Sequence, residues 1–293
     1  MKVINILLLF LAVFMVSTSA IFVKLINVPV EVLAFYRLFI SFVVFVMVIL
    51  FSNKLINECK MLTKKSKILM IFSGILLAIH YLLWFESLKY TSVASSTVIV
   101  TLQPIFAMIG GFLFFKERFQ MGAILGVFVA IIGSIIISYH DFKISGLAFY
   151  GDILALIAAL IITIYFFIGQ HVRMNTSLVV YATVSYGASA LFLLFINIMK
   201  QNNLIHYDIH TWMIFFGLAF CASIIGQTLF NYLLKYFSAT VISMTILGEV
   251  IGTCILSYFI LNEFATLSQL IGIFLILIGQ VLFILANRGN RKV

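Results

Sequence analysis

The chain has 293 residues, 64% of them hydrophobic and 9% charged, with a mean hydropathy of +1.24. That balance excludes a water-soluble globule with its apolar residues inside, and leaves an integral membrane protein. A formal net charge of +9 points at first to a nucleic acid, but the placement of the charges gives it another meaning.

Apolar runs long enough to cross a hydrocarbon core about 30 Å thick recur along the chain. Ten are expected, roughly 4–23, 32–52, 68–88, 93–115, 120–139, 148–169, 178–199, 212–234, 239–261 and 266–286. Only two prolines and no alternating strand pattern predict helices rather than a barrel. With both termini in the cytoplasm, thirteen basic residues fall on the inner side: Lys2, Lys54, Lys60, Lys64, Lys65, Lys67, Lys116, Arg118, Arg173, Lys235, Arg288, Arg291 and Lys292. Lys24, Lys89, Lys143 and Lys200 fall outside, and Arg37 lies within a span. This asymmetry orients a multi-pass protein of the cell membrane and needs no nucleic acid. The expected partners are the lipid bilayer and a small-molecule substrate, and a homodimer stays open. Cys59, Cys221 and Cys254 have no metal-like spacing and are expected to be packing or solvent residues.

In the first span, Lys2, an apolar run and Ser17-Thr18-Ser19-Ala20 resemble a signal peptide. Cleavage would leave nine spans and deprive the sixth of its counterpart, so the helix is expected to stay. The second span opens after Pro29 and carries Phe35-Tyr36-Arg37, and the basic segment 53–67 follows as a cytoplasmic loop. Span three holds the most polar intramembrane cluster of the first half, His80-Tyr81-x-x-Trp84-x-Glu86, with His80 and Trp84 one turn apart on one face. Span four begins with the small run Ala94-Ser95-Ser96-Thr97 and carries Gln103-Pro104 near its middle, where the proline frees a carbonyl and bends the helix. Gly122-x-x-x-Gly126 in span five and Ser268-x-x-x-Gly272 in span ten read as close-packing faces.

The stretch Leu88–Gly133 is written twice. Shifted by 146 positions without a gap, Leu88-Lys89-Tyr90-x-Ser92 falls on Leu234-Lys235-Tyr236-x-Ser238, Glu117 on Glu263, Gly126 on Gly272 and Gly133 on Gly279, with eleven of 46 positions identical. The period is half the chain, which predicts two homologous halves, 1–146 and 147–293, of five helices each. An odd number of spans per half forces opposite orientations. Lys116-Glu117-Arg118 accordingly becomes Asn262-Glu263-Phe264, losing its positive charges on the predicted outer side. The expected fold is an all-α integral membrane protein with ten transmembrane helices in two inverted five-helix repeats, the build of secondary transporters.

These features resemble the EamA-type branch of the drug/metabolite transporter superfamily: ten spans in two halves, Arg37 early in span two, and the run from Leu88-Lys89-Tyr90-Thr91-Ser92 through Gln103-Pro104 to Lys116-Glu117-Arg118. The resemblance implies a carrier for small organic metabolites, with spans three, four, eight and nine around a central cavity, aided by one and six. Spans five and ten would be peripheral supports. The second half departs from the family's proline-containing pattern in span nine, having Glu249-Val250.

The halves agree at glycines and helix ends but diverge at interior polar positions. His80 falls on Gly226, Tyr81 on Gln227, Trp84 on Phe230, Phe85 on Asn231, Glu86 on Tyr232 and Gln103 on Glu249. A site for an asymmetric molecule has reason to diverge where packing does not. The candidate substrate-binding residues are therefore Glu249, Gln103, His80, Trp84, Gln227, Asn231, Tyr81, Tyr165 and Arg37, with Ser17 as a further wall residue. Glu249 suits a substrate ammonium or an exchanged proton; its alternative is a neutral acid bonded to a neighbouring helix. Arg37 suits a substrate carboxylate or an ion pair with Glu86. His80 reads equally as an interior histidine with one partner, and Gln103 as a structural bond. Phe230 and Tyr232 read as stacking or packing aromatics. Glu117 and Glu263 are expected to cap neighbouring helix N-termini or to gate the pathway. An intramembrane lipid-modifying enzyme or a channel is the alternative class. The chain lacks a His-Glu-x-x-His helix, a Gly-x-Ser-x-Gly turn, a nucleotide-binding loop and a filter sequence, so an enzyme, an ATP-driven pump and a cofactor are not expected. A secondary transporter exporting small polar or amphipathic metabolites such as amino acids, by alternating access, is the function these residues predict.

Overall fold

A computed structural model of the chain describes residues 3–144 and 146–287. The predicted inner charges Lys2, Arg288, Arg291 and Lys292 lie outside the described residues, as does the side chain of Lys143. Long apolar runs with few breakers make helices where the bilayer offers backbone groups no other partner. They are α1 (Val3–Lys24), α2 (Val30–Leu50), α3 (Asn53–Met61), α4 (Lys64–Tyr90), α5 (Val93–Val100), α6 (Gln103–Phe115), α7 (Met121–Ile144), α8 (Gly146–Arg173) and α9 (Leu178–Met199). After these come α10 (Ile209–Gly217), a π-helical segment (Leu218–Gln227), α11 (Thr228–Leu233), α12 (Ala239–Ile246), α13 (Glu249–Leu256), a π-helical turn (Ser257–Leu261) and α14 (Leu267–Asn287). Among the described residues there is no strand. Large apolar side chains cover the outside, Phe51, Phe114 and Phe259 among them, as a lipid-facing surface requires.

Among the described residues, eight stretches are long and apolar enough to cross a membrane, and α7 and α14 contribute the shorter apolar lengths Met121–Gly133 and Leu267–Phe283. The basic segment expected as a loop contains the nine-residue helix α3. Span four is broken between α5 and α6 beside Pro104, and span nine is broken at the equivalent place, between α12 and α13, without a proline. The interruption therefore belongs to the repeat, and the proline only accommodates it. Other punctuation recurs at the same shift. Ser92 and Ser238 cap α5 and α12 by accepting from the backbone of Ser95 and Val241. Lys116 and Asn262 both take φ of 55° in the left-handed region, and the amides of Glu117 and Glu263 donate back to the carbonyls of Gly111 and Ser257. Side-chain caps of this kind contribute about 1 kcal/mol each.

Two self-complementary seams hold the halves together. In the first, a Cβ added at Gly126 would lie 2.5 Å from the Gly279 carbonyl oxygen, and one at Gly133 would lie 2.5 Å from that of Gly272. The contact pairs a rising number on α7 with a falling one on α14, so these helices run antiparallel. Since Gly126 and Gly272 are repeat partners, as are Gly133 and Gly279, each contact is the image of the other. The second seam joins α2 to α9, again antiparallel: Asn197 donates to the Glu31 carbonyl at 2.9 Å, and Phe42 packs on Gly187. The first helix is stitched to the far half, with Ser17 donating to the Glu249 carbonyl at 3.2 Å and Thr253 to the Ser17 carbonyl at 3.2 Å.

Candidate functional site

Polar side chains placed on α2, α4, α8, α9, α11 and α13 meet inside the bundle. On α4, His80 and Trp84 lie one turn apart with stacked rings 5.9 Å between centroids. Nδ1 of His80 donates to the Ala158 carbonyl on α8 at 3.0 Å, the single-partner arrangement of an interior histidine. Arg37 on α2 is 1% exposed. Its Nε donates to Ser223 Oγ at 2.7 Å and its Nη1 to Ser19 Oγ at 2.6 Å, while its guanidinium carbon sits 3.9 Å from the centre of the Tyr81 ring. The expected pairing of Arg37 with Glu86 does not occur. Glu86 instead pairs with Lys89 at 2.8 Å and accepts from Tyr90 at 3.2 Å, because its position on α4 turns it away from the His80 face.

Across the interior, Asn231 Nδ2 donates to the Tyr165 hydroxyl at 2.6 Å, joining two residues the sequence proposed separately. Tyr165 neighbours Tyr181, whose hydroxyl shares a hydrogen with Ser73 at 2.7 Å, and Tyr186 meets Thr228 at 3.0 Å. Glu249, 5% exposed, opens α13, and its backbone carbonyl accepts from Ser17 on α1. Two further aromatics, read from the sequence as stacking or packing surfaces, each meet another ring. Tyr232 is half-buried at the end of α11 and bonds to Tyr236 at 3.2 Å, and Phe230 packs edge-on against Phe166. Glu117 accepts from the Thr240 hydroxyl, in the first turn of α12, at 2.8 Å, while the backbone cap of that helix is Ser238.

Several buried polar atoms have no hydrogen-bond partner among the described residues. They are the Tyr81 hydroxyl, Trp84 Nε1, Thr97 Oγ1, Gln103 Oε1, Gln227 Nε2, Asn231 Oδ1, Ser243 Oγ and Glu249 Oε1. Under the 146-residue shift they fall largely into couples: Tyr81 with Gln227, Thr97 with Ser243, and Gln103 with Glu249. An orphaned buried polar group costs about 1–3 kcal/mol, so keeping several in equivalent places of both repeats is a pattern that packing does not require. Six of the nine residues singled out from the sequence belong to this set. The sequence reading missed Tyr181, Tyr186, Ser223, Thr97 and Ser243. The repeat register is the signal that could have found Thr97 and Ser243, since both are hydroxyls at one shifted position.

A vestibule of about 760 Å³ opens between the start of α2, the end of α4, the start of α8 and the end of α9, on the face of α4 that carries Leu82, Leu83 and Glu86, away from His80 and Trp84. Glu31, Glu86, Lys89 and Lys200 line it, so it carries both signs of charge. Glu31 and Lys200 are bonded to each other across the α2–α9 seam. The Lys200 ammonium is held above its ordinary value, chiefly by the hydrogen bond it donates to Glu31.

Comparison with known proteins decides the family. The EamA-like transporter family model matches residues 3–139 and again 149–285, with both the starts and the ends 146 residues apart. The chain belongs to the EamA-like transporter family. This EamA-like chain is thus a membrane transporter of the drug/metabolite type, and its two matched segments are the two repeats. One crystal structure of a protein superposes over the whole of both chains with a TM-score of 0.77 at 16% identity, a likeness of fold. No curated protein matches the sequence.

Proposed function

We propose that the chain is a secondary carrier that moves small polar or amphipathic metabolites, amino acids among them, out of the cell by alternating access. The observation that carries this reading is the set of buried, unpartnered polar atoms related by the repeat, Gln103 and Glu249 among them. A polar solute entering the bundle interior would satisfy these groups and leave them as it departs, which keeps binding from becoming a trap. In this reading α7 and α14 complete ten spans, the antiparallel seams invert the two halves in the membrane, and both termini face the cytoplasm. Substrate contacts come from Glu249, Gln103, Tyr81, Trp84, Gln227 and Asn231. His80, Tyr165 and Arg37 form the wall behind them.

Proteoliposome counterflow over amino acids, nucleosides and sugars tests it. Saturable exchange of at least one solute is expected, falling about tenfold in Glu249→Gln and in Gln103→Ala while both variants remain monodisperse. A broad panel with no saturable exchange by well-folded protein would overturn the reading.

A further inference from the structure

The vestibule stands apart from the candidate site and has a chemistry of its own. The two lie on different faces of α4, and among the described residues none that carries an orphaned polar atom lines the vestibule. One step recurs on three of its helices. Leu82 lies one turn deeper than Glu86, Leu154 one turn deeper than Tyr150, and Ile196 one turn deeper than Lys200. Polar groups therefore ring the opening, and apolar groups make its floor.

The rim holds two carboxylates and two ammoniums as two ion pairs, Glu31 with Lys200 and Glu86 with Lys89. In both pairs the lysine is the more exposed partner, 59% against 12% in the first and 48% against 30% in the second. An ammonium has three hydrogens, and each of these lysines uses one on its carboxylate, which leaves donors turned outward for a second anion. Tyrosines set the depth of the rim. Tyr150 lines the vestibule and meets Tyr90 edge-on at 5.3 Å, with both rings exposed, and tyrosines so placed at helix ends mark the headgroup layer of a bilayer. Below Tyr150 an apolar stripe of Ile153, Ile157, Leu160 and Ile164 runs down the exposed face of α8.

We propose that the vestibule is a binding site for one phospholipid whose headgroup joins a phosphate to a primary ammonium. The phosphate takes the outward donors of Lys89 and Lys200, the ammonium donates to Glu86, and one acyl chain lies on Leu82 and Leu154 and continues along the α8 stripe. Equal numbers of both charges at the rim favour a zwitterion over an anionic lipid. A primary ammonium donates hydrogen bonds to a carboxylate, which a quaternary one has no hydrogens to do. The apolar floor favours an amphiphile over a free headgroup, which would leave that floor in water. Seated there, the lipid joins the α2–α9 pair to the α4–α8 pair, and the site holds whether or not the interior carries a solute.

The test uses the full chain, delipidated in detergent, with bound lipid counted by native mass spectrometry and the melting temperature followed alongside. Phosphatidylethanolamine is expected to bind saturably, one per chain, about tenfold more tightly than phosphatidylcholine or phosphatidylglycerol, and to raise the melting temperature. Leu82→Trp fills the floor without touching a charge and is expected to abolish this binding, whereas Ile124→Trp on the exposed face of α7 is expected to keep it. Lys89→Gln alters only an exposed side chain, so it folds independently of the outcome; it is expected to weaken phosphatidylethanolamine about tenfold. Glu86→Gln is expected to erase the preference over phosphatidylcholine. Undiminished binding to folded Leu82→Trp or to Lys89→Gln, or equal binding of the three lipids, would overturn the proposal. Equally tight binding of glycerophosphoethanolamine, which has no acyl chain, would also overturn it and make the site one for a soluble zwitterion.

Discussion

Arg37 is held as a fork. Two hydroxyls from α1 and the π-helical segment take its in-plane hydrogens, and Tyr81 covers its face. A lysine keeps the charge but reproduces neither the fork nor the stacked plane. Arg37→Lys is therefore expected to lower stability by about 1–3 kcal/mol, read as a fall in the melting temperature in detergent. Lys200 behaves differently, because its side chain is 59% exposed and its bond to Glu31 lies in the vestibule. A lysine raised by its partner contributes stability below the unfolded value and loses it only as pH climbs through the higher folded one. From about pH 6 to 8 this pair stays intact, so Lys200→Gln is expected to leave the pH profile of flux unchanged in that window, as a transport titration would show. Residues of the candidate site were legible where they broke an apolar run: Gln103, Gln227, Asn231 and Glu249 have no business in lipid unless something polar faces them. Tyr181 and Tyr186 were not, because a tyrosine in a membrane helix reads as packing until its hydroxyl's neighbours are known. The misplaced Arg37–Glu86 pair has the same origin, since depth along a helix is readable while the face presented to other helices is set by tertiary packing.

At the scale of elements, the glycines of α7 and α14 mark where backbones touch. Adding a methyl at Gly126 or Gly279 puts it 2.5 Å or 2.3 Å from the opposing carbonyl oxygen, closer than any real contact, whereas nothing lies within 4 Å of one at Gly146. Gly126→Ala and Gly279→Ala are expected to destabilise by about 1–3 kcal/mol through overpacking, with Gly146→Ala silent in the same thermal assay. The left-handed residues closing α6 and the π-helical turn offer the opposite case. Lysine pays a steric penalty at φ of 55° that asparagine largely escapes, so Lys116→Gly is expected to raise the melting temperature and Asn262→Gly to change it less. Helix positions were readable from apolar length, and the break in span four from its proline. The matching break in span nine and the ten-residue π-helical segment were not, because each depends on how the helix is gripped by neighbours rather than on any breaker residue. The short helix α3 escaped notice for a related reason: at nine residues, with polar side chains interspersed, it has no run that composition alone would flag.

For the molecule as a whole, the repeat was legible because anchors at Leu88-Lys89-Tyr90, Glu117, Gly126 and Gly133 kept one ungapped register, and the family match reproduces the same spacing. The glycine seam carries a consequence for ancestry. Gly126 touches Gly279, whose counterpart in the first half is Gly133, itself a glycine. Two copies of a half-length peptide could therefore dock antiparallel, across a two-fold axis, through the glycines each already owns. The surface that now fastens one half to the other would have served equally for a primitive homodimer, before gene fusion let paired positions such as Gln103 and Glu249 diverge.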